Sequence, residues 1–78
     1  MVYPNPSTNT VFADLSSFEQ GKDLTIRIYN TDGRLVYETA EKGGLSRVEI
    51  GTSMLPSGLY LLKVHQNQMF ATAKISIR

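Results

Sequence analysis

The chain has 78 residues, a formal net charge of +1, no cysteine and one histidine. A chain of this length forms one domain with a thin core, and without cysteine it has neither a disulfide framework nor a cysteine zinc site. Charges of both signs are interspersed, a balance too even to favour nucleic acid or an anionic membrane as partner. No apolar run reaches the roughly 20 residues of a membrane-spanning helix, so we expect no transmembrane segment.

The chain opens with VYPNPS at residues 2–7, which places two prolines two positions apart. Proline fixes φ near about −65°, lacks a backbone donor and pushes the preceding residue toward extended conformations. Residues 3–6 are therefore predicted to form a stiff, extended lead-in that lies along a sheet edge or enters a turn. Met1 in front of it is typical of an added start residue on a piece of a longer protein, so missing targeting signals would say nothing about that protein.

Beyond this opening, apolar and polar residues alternate with the period of two that is typical of half-buried strands. The clearest pair of runs flanks the Asn-Thr-Asp-Gly sequence of residues 30–33. Because glycine adopts the positive φ that such a turn needs, Asp-Gly between two runs predicts a β-hairpin over residues 24–40. Further strands are predicted over residues 9–15, 47–50, 59–65 and 69–78.

Two local signals lie between these strands. Residues 55–58, Leu-Pro-Ser-Gly, fit a type I turn, and Ser16 with Glu19 fits a capping box that would begin one helical turn. About six to seven short strands with frequent turn signals, and no convincing helix, predict an all-β fold, an antiparallel β-sandwich.

Catalytic chemistry finds little support in the sequence. His65 has no cluster of carboxylates near it in sequence to complete a zinc site. Spacing does not exclude a Ser-His-Asp triad, which is assembled in space, but no G-x-S-x-G elbow is present and a thin sandwich offers little room for a water-excluding cleft. The seven acids fall mostly at predicted turns or on polar strand faces. We therefore predict no catalytic residue, no cofactor and no metal site.

Aromatic side chains on one sheet face can form a stacking platform for sugars or single-stranded nucleic acid. The candidates are distributed over different predicted strands, which favours core or edge roles for them: Phe12, Tyr29, Tyr37 and Tyr60.

Four landmarks follow one another along the chain: VYPNPS at 2–7, IRIYNTDGRLV at 26–36, LPSGLYLLKV at 55–64 and AKISIR at 73–78. Each is weak alone, but in this order, over nearly the whole chain, they resemble the C-terminal sorting domain of the type IX (Por) secretion system of Bacteroidetes. The one departure is a long connection over residues 16–23. The residues that carry the resemblance are Pro4, Asn5, Pro6, Asp32, Gly33, Leu55, Pro56, Gly58, Tyr60 and Lys74.

The resemblance implies an Ig-like β-sandwich over residues 1–78, a single C-terminal sorting domain that catalyses nothing. In this family the domain is fused behind a larger cargo protein, which passes through the periplasm and across the outer membrane to the cell surface or the medium. A β-barrel shuttle protein of the outer membrane receives the domain, and a sortase-like cysteine protease typically removes it. Neither nucleic acid nor a transmembrane segment is implied.

Within this framework, recognition by the secretion machinery is expected on the last strand, where an apolar face is opposed by basic residues. A final strand at a sheet edge presents unpaired backbone groups to a partner by β-augmentation, whereas Gly33, Gly58 and Tyr60 are expected to hold the fold. The expected recognition residues are Ala71, Ala73, Lys74, Ile75, Ile77 and Arg78.

The alternative is an Ig-like accessory module that binds carbohydrate or protein, or spaces a catalytic domain, and stays in the mature protein. An exposed row of aromatic side chains on one sheet face would mark it.

Overall fold

The computed structural model describes residues 2–3, 9–44 and 47–78. Its strands are β1 (Val2–Tyr3), β2 (Thr10–Ala13), β3 (Asp23–Tyr29), β4 (Leu35–Lys42), β5 (Val48–Gly51), β6 (Gly58–Gln66) and β7 (Met69–Ile77). The described part of the chain contains no helix, which confirms the all-β prediction.

The helical turn expected after Ser16 is therefore wrong. A capping box needs the Glu19 N–H to bond back to the residue that begins the helix. In the structure that N–H donates instead to Oε1 of Gln66 at 2.8 Å, and the Ser16 N–H donates to Oδ1 of Asp14 at 2.9 Å. Two turns result, at residues 16–17 and 20–21, because a distant side chain takes the donor that the helix would have used.

The strands form two antiparallel sheets, ordered β1-β2-β5 and β4-β3-β6-β7. This arrangement is an Ig-like sandwich, as predicted. It differs from the constant-type immunoglobulin domain, whose fourth strand lies in the first sheet. Here β4 stays paired with β3 as a hairpin, so the larger sheet has β4 and β7 as its two edges.

The core lies between the two sheets and follows the predicted alternation. Along β3 and β6 every second side chain is buried, while the residues between them face solvent. The buried apolar residues are Val2, Val11, Ala13, Leu15, Phe18, Leu24, Ile26, Ile28, Ile50, Tyr60, Leu62, Val64, Ile75 and Ile77.

The β3–β4 hairpin forms where the sequence predicts it, and local chemistry builds its turn. The Oδ1 of Asn30 accepts hydrogen bonds from the N–H groups of Asp32 and Arg34, each at 3.0 Å. Gly33 has a φ of 80°, in the region that favours glycine, and its N–H donates to the Asn30 carbonyl at 3.0 Å. Gly33 thus supplies the positive φ of this turn.

The segment before β6 differs from the prediction. Its hydrogen-bonded turn runs from the Thr52 carbonyl to the Leu55 N–H at 2.9 Å, three residues before the predicted type I turn. The Pro56 carbonyl instead accepts a hydrogen bond from the Tyr60 hydroxyl at 2.6 Å. A tyrosine at the start of the sixth strand that bonds back to upstream backbone is the tyrosine corner of Ig-like sandwiches.

Replacing Tyr60 with phenylalanine is expected to lower the free energy of unfolding by about 1 kcal/mol, the net contribution of one hydrogen bond. The buried ring keeps its packing, so the loss isolates the hydroxyl. Urea denaturation of the purified domain measures it, with Tyr37→Phe as the control because Tyr37 is a half-buried tyrosine outside the corner. Equal losses in the two variants would contradict the assigned role.

A buried glutamine fastens the long connection between β2 and β3 to the end of β6. Gln66 is 2% exposed, and its amide Nε2 donates to the carbonyls of Glu19 at 3.0 Å and Lys22 at 3.1 Å. Its Oε1 accepts the Glu19 N–H already described. All three bonds reach more than 40 residues back along the chain, so β6 holds in place the connection that departs from the family pattern.

Gly43, just after β4, also binds the connection between β2 and β3. Its N–H donates to the Lys22 carbonyl at 2.9 Å, and its carbonyl accepts from the Gly21 N–H at 3.1 Å. A Cβ at Gly43 would lie 2.7 Å from Gln66 Nε2 and closer still to the Glu19 carbonyl oxygen. Only glycine fits between the connection and the glutamine that holds it.

Candidate recognition surface

The last strand is an edge of the larger sheet. β7 pairs with β6 along its whole length, from Ile77 opposite Gly58 to Met69 opposite Gln66. No other strand in the described part of the chain pairs with it. Its outer row of backbone N–H and C=O groups therefore faces away from the sheet, which is the geometry that β-augmentation requires.

The side chains of β7 divide into two halves. Ile75 and Ile77 are 1% and 3% exposed and belong to the core. Ala73 is half-buried against that core, whereas Met69 and Ala71 are exposed. The apolar face seen in the sequence is thus a core face in its second half and a solvent-facing surface in its first half.

The expected recognition residues therefore fall into two groups, those exposed to solvent and those that face the core. Ala71, Lys74 and Arg78 are exposed, so a partner could contact their side chains directly. Ile75 and Ile77 face the core, so they act on recognition only through the position of the strand.

The described residues that carry the family resemblance lie at one end of the larger sheet, in three separate segments of the chain. The turn that holds Asp32 and Gly33 follows β3, Leu55 and Pro56 precede β6, and the segment that carries Lys74 lies in β7. Gly58 and Tyr60 are the first and third residues of β6, and both are paired with the end of β7. Pro4, Asn5 and Pro6 lie outside the described residues.

A shallow groove lies at this end of the sheet, with a volume of about 300 Å³. Its walls come from the β3–β4 turn, the start of β6 and the middle of β7. The lining residues are Asn30, Thr31, Leu59, Tyr60, Leu61 and Lys74. The groove thus joins polar turn residues and a lysine to two outward-facing leucines.

Two ion pairs cross the outer face between β3 and β4. Arg27 bonds Glu38, and Lys42 bonds Asp23; each pair occupies directly opposed positions of the ladder. The hydrogen bond from the Lys42 ammonium lowers the pKa of the Asp23 carboxyl, and the bond to Glu38 raises the pKa of the Arg27 guanidinium. Each of these two carboxylates thus has a basic partner within the sheet.

The Asp23 pair predicts a defined acid dependence of stability. Its folded-state pKa lies below the unfolded value of about 3.9, so its contribution is present above that value and is lost as the pH falls through the lowered pKa. Asp23→Asn should reduce the loss of unfolding free energy between about pH 5 and pH 2. Urea denaturation at a series of pH values measures this loss. Lys42→Gln should flatten it equally, and an unchanged profile in both variants would contradict the pairing.

The residues considered for chemistry are dispersed. His65 is exposed on β6 opposite Thr25 and Phe70. Across the described residues, no three His, Cys, Asp or Glu side chains lie close enough together to hold a metal ion. In the same part of the chain, no helix has the length and apolarity needed to cross a membrane.

The aromatic residues do not form a common platform. Tyr60 is buried, Tyr29 and Tyr37 are half-buried on β3 and β4, and Phe12 lies on the other sheet. The Arg47 guanidinium lies over the Phe12 ring, 4.6 Å from its centre. Among the aromatic side chains that the structure describes, Phe70 is the exposed one, at 68%.

Two features of this surface were missed from the sequence. Gln66 gave no local signal, because its three partners lie more than 40 residues away. The outward Leu59 and Leu61 did leave a signal, since the run LYLL places leucine on both faces of one strand. A half-buried strand would alternate, so an apolar residue on the outer face as well is a sign of a second contact surface.

The comparisons with known proteins agree with this arrangement. The chain matches the family described as secretion system C-terminal sorting domain over residues 1–78, its whole length. A search of curated proteins found no match. The match includes the landmarks placed above in the β3–β4 turn, at the start of β6 and in β7. The chain belongs to the family of C-terminal sorting domains of type IX secretion.

Proposed function

We propose that this domain is the recognition label that carries a fused cargo protein through the outer membrane by type IX secretion. Membership of the sorting-domain family implies the type IX machinery, a fused cargo, and export to the cell surface or the medium. The observation that carries the mechanism is the position of β7, an edge strand whose outer backbone groups no other described strand pairs.

In this mechanism the sandwich is folded when it is recognised. A strand of the machinery adds to the outer edge of β7, and main-chain hydrogen bonds supply affinity. The exposed Ala71 leaves room for close approach, while Lys74 and Arg78 supply charge that helps select the partner. Ile75 and Ile77 hold the strand against the core, so they fix the edge that the partner meets.

The partners follow from the family. The cargo passes through the periplasm, a β-barrel shuttle protein of the outer membrane receives the domain, and a sortase-like cysteine protease then removes it from the cargo. The domain itself performs no chemistry in this scheme and serves as a non-catalytic address.

The test is a fusion of residues 2–78 to the C-terminus of a periplasmic reporter in a bacterium with an active type IX system. Surface labelling and the culture medium should contain the reporter, while a strain that lacks the secretion machinery should retain it in the periplasm. Retention in both strains would overturn the proposal.

The accessory-module alternative predicts a different fate for the domain. It would remain attached to the mature protein, whereas a sorting label is removed. Its expected mark, an exposed aromatic row on one sheet face, is not formed by the described side chains, among which Phe70 is exposed whereas Tyr29 and Tyr37 are half-buried. The mass of the exported reporter distinguishes the two.

A further inference from the structure

The outer face of the larger sheet carries a row of mostly apolar side chains that lie outside the core. In register across the four strands lie Leu35, Tyr29, Leu61 and Lys74. Leu35 and Leu61 are 45% and 37% exposed, and Leu59 beside them is 62% exposed. Contiguous exposed apolar residues rimmed by polar ones are typical of interaction surfaces.

The row ends in the groove of about 300 Å³ between the β3–β4 turn and Lys74. That volume is at the lower limit of ordinary ligand pockets, so it suits an apolar side chain of a peptide rather than a larger body. Leu59 and Leu61 would contact such a side chain, and the turn residues Asn30 and Thr31 offer polar atoms at its border.

The charge of this part of the molecule is one-sided, although the whole chain is nearly neutral. Residues 58–78 contain Lys63, Lys74 and Arg78 and no aspartate or glutamate, whereas the seven acids all precede them. On the β3–β4 half of the face, Asp23 and Glu38 are bonded to basic partners. The turn beside the groove carries one acid and one base, Asp32 and Arg34, which offset each other.

These charges disfavour two other partners for this face, a second copy of the chain and an anionic membrane surface. A second copy of the chain on this face would bring like charges together across a two-fold axis, which is unfavourable. An anionic membrane surface is usually bound by a cluster of about four to eight basic residues, and the β6–β7 half of this face offers three. An acidic peptide meets both the charge and the shape.

We propose that the groove and its basic rim bind an extended acidic segment of the secretion machinery, with an apolar side chain between Leu59 and Leu61 and carboxylates toward Lys63 and Lys74. This inference rests on the proposed function, because it names the chemistry of the partner that the sorting domain meets. The groove is a second contact beside the edge of β7, and it selects among partner strands by their side chains.

The first experiment measures binding to the purified domain. The probe is a fluorescein-labelled nine-residue peptide of alternating leucine and glutamate, with a leucine–lysine peptide as its control. The acidic peptide should bind, and Lys74→Glu and Leu59→Ser should each weaken it at least tenfold. Lys22→Glu repeats the charge reversal, and Met54→Ser likewise replaces an apolar side chain with serine. Both positions are exposed and outside the groove lining, so both variants should leave binding unchanged. Thermal unfolding confirms that each variant is folded.

The inference would be overturned by no binding of the acidic peptide, by equal binding by all variants, or by sedimentation of the domain with phosphatidylglycerol vesicles that Lys74→Glu abolishes. Self-association of the wild-type domain that Leu59→Ser abolishes would also overturn it.

The second experiment repeats the reporter fusion with the same four variants. Export should fall at least tenfold for Lys74→Glu and Leu59→Ser and stay at the wild-type level for the two controls. If the wild-type fusion is exported and all variants are exported equally, the inference fails while the proposed function stands. If the wild-type fusion is retained, the proposed function fails, and the peptide measurement still decides the chemistry of the groove.

Discussion

Removal of residues 74–78 is expected to unfold the domain. The truncation deletes Ile75 and Ile77, which are 1% and 3% exposed and fill the core beside β6. Loss of one such side chain costs about 2–5 kcal/mol, and a domain of this size has a total stability of about 4–12 kcal/mol. Circular dichroism should show loss of the folded signal, and limited proteolysis should degrade the truncated domain completely.

This result would determine how export data are interpreted. A reporter that ends at Ala73 should not be exported, but the loss would follow from unfolding as much as from a missing recognition surface. Ile75→Val is the matched control: it removes one methylene, costs about 1 kcal/mol and should leave a folded, exported domain. A truncated domain that stays folded and protease-resistant would contradict the assigned core position of these isoleucines.

Gly43→Ala is expected to destabilise the domain by about 3 kcal/mol or more. The added methyl group would overlap the Glu19 carbonyl oxygen, which is backbone, and would lie 2.7 Å from the Gln66 amide nitrogen. Relief of that overlap must shift the connection between β2 and β3 or break the hydrogen bonds of Gln66, so the cost of overpacking adds to the cost of unsatisfied buried groups. Urea denaturation measures the change.

Gly51→Ala provides the matched control for that substitution. Gly51 also lies at a strand end, but a Cβ there would have no atom within 4 Å, and its φ is not in the positive region. Its replacement should leave stability unchanged or raise it by less than about 1 kcal/mol, because alanine restricts the unfolded chain. Equal effects at Gly43 and Gly51 would show that the connection is not held as described.

The sequence was sufficient where structure follows from neighbouring residues. The β3–β4 hairpin could be predicted because Asn30 and Gly33 build its turn from bonds within five residues. The alternation along β3 likewise predicted that every second side chain of that strand enters the core. These features depend on short-range chemistry and on a period of two, and both are visible in a single sequence.

Features that depend on distant contacts could not be predicted. The capping signal at Ser16 was overridden because Gln66 takes the Glu19 N–H. The apolar face of β7 appeared uniform, yet only Ile75 and Ile77 are fully covered by the core, while Met69 and Ala71 remain exposed. Periodicity shows which residues share a face, but it does not show how far the opposite sheet extends over that face.

The central claim, that the machinery pairs with the outer edge of β7, has a direct test in the reporter fusion. Along an edge strand, backbone N–H groups point alternately toward the neighbouring strand and away from the sheet. Of the variants Ala71→Pro and Thr72→Pro, one therefore loses a hydrogen bond to β6, and the other loses only a donor that points away from the sheet. Both positions are exposed, and thermal unfolding identifies the variant that retains stability.

Export of the reporter that carries this stable proline variant is the deciding measurement. Proline removes a donor from the outer edge of β7, and its ring obstructs an incoming strand. We predict that export falls at least tenfold while the domain remains folded. Export at the wild-type level by the stable variant would contradict recognition through the edge of β7.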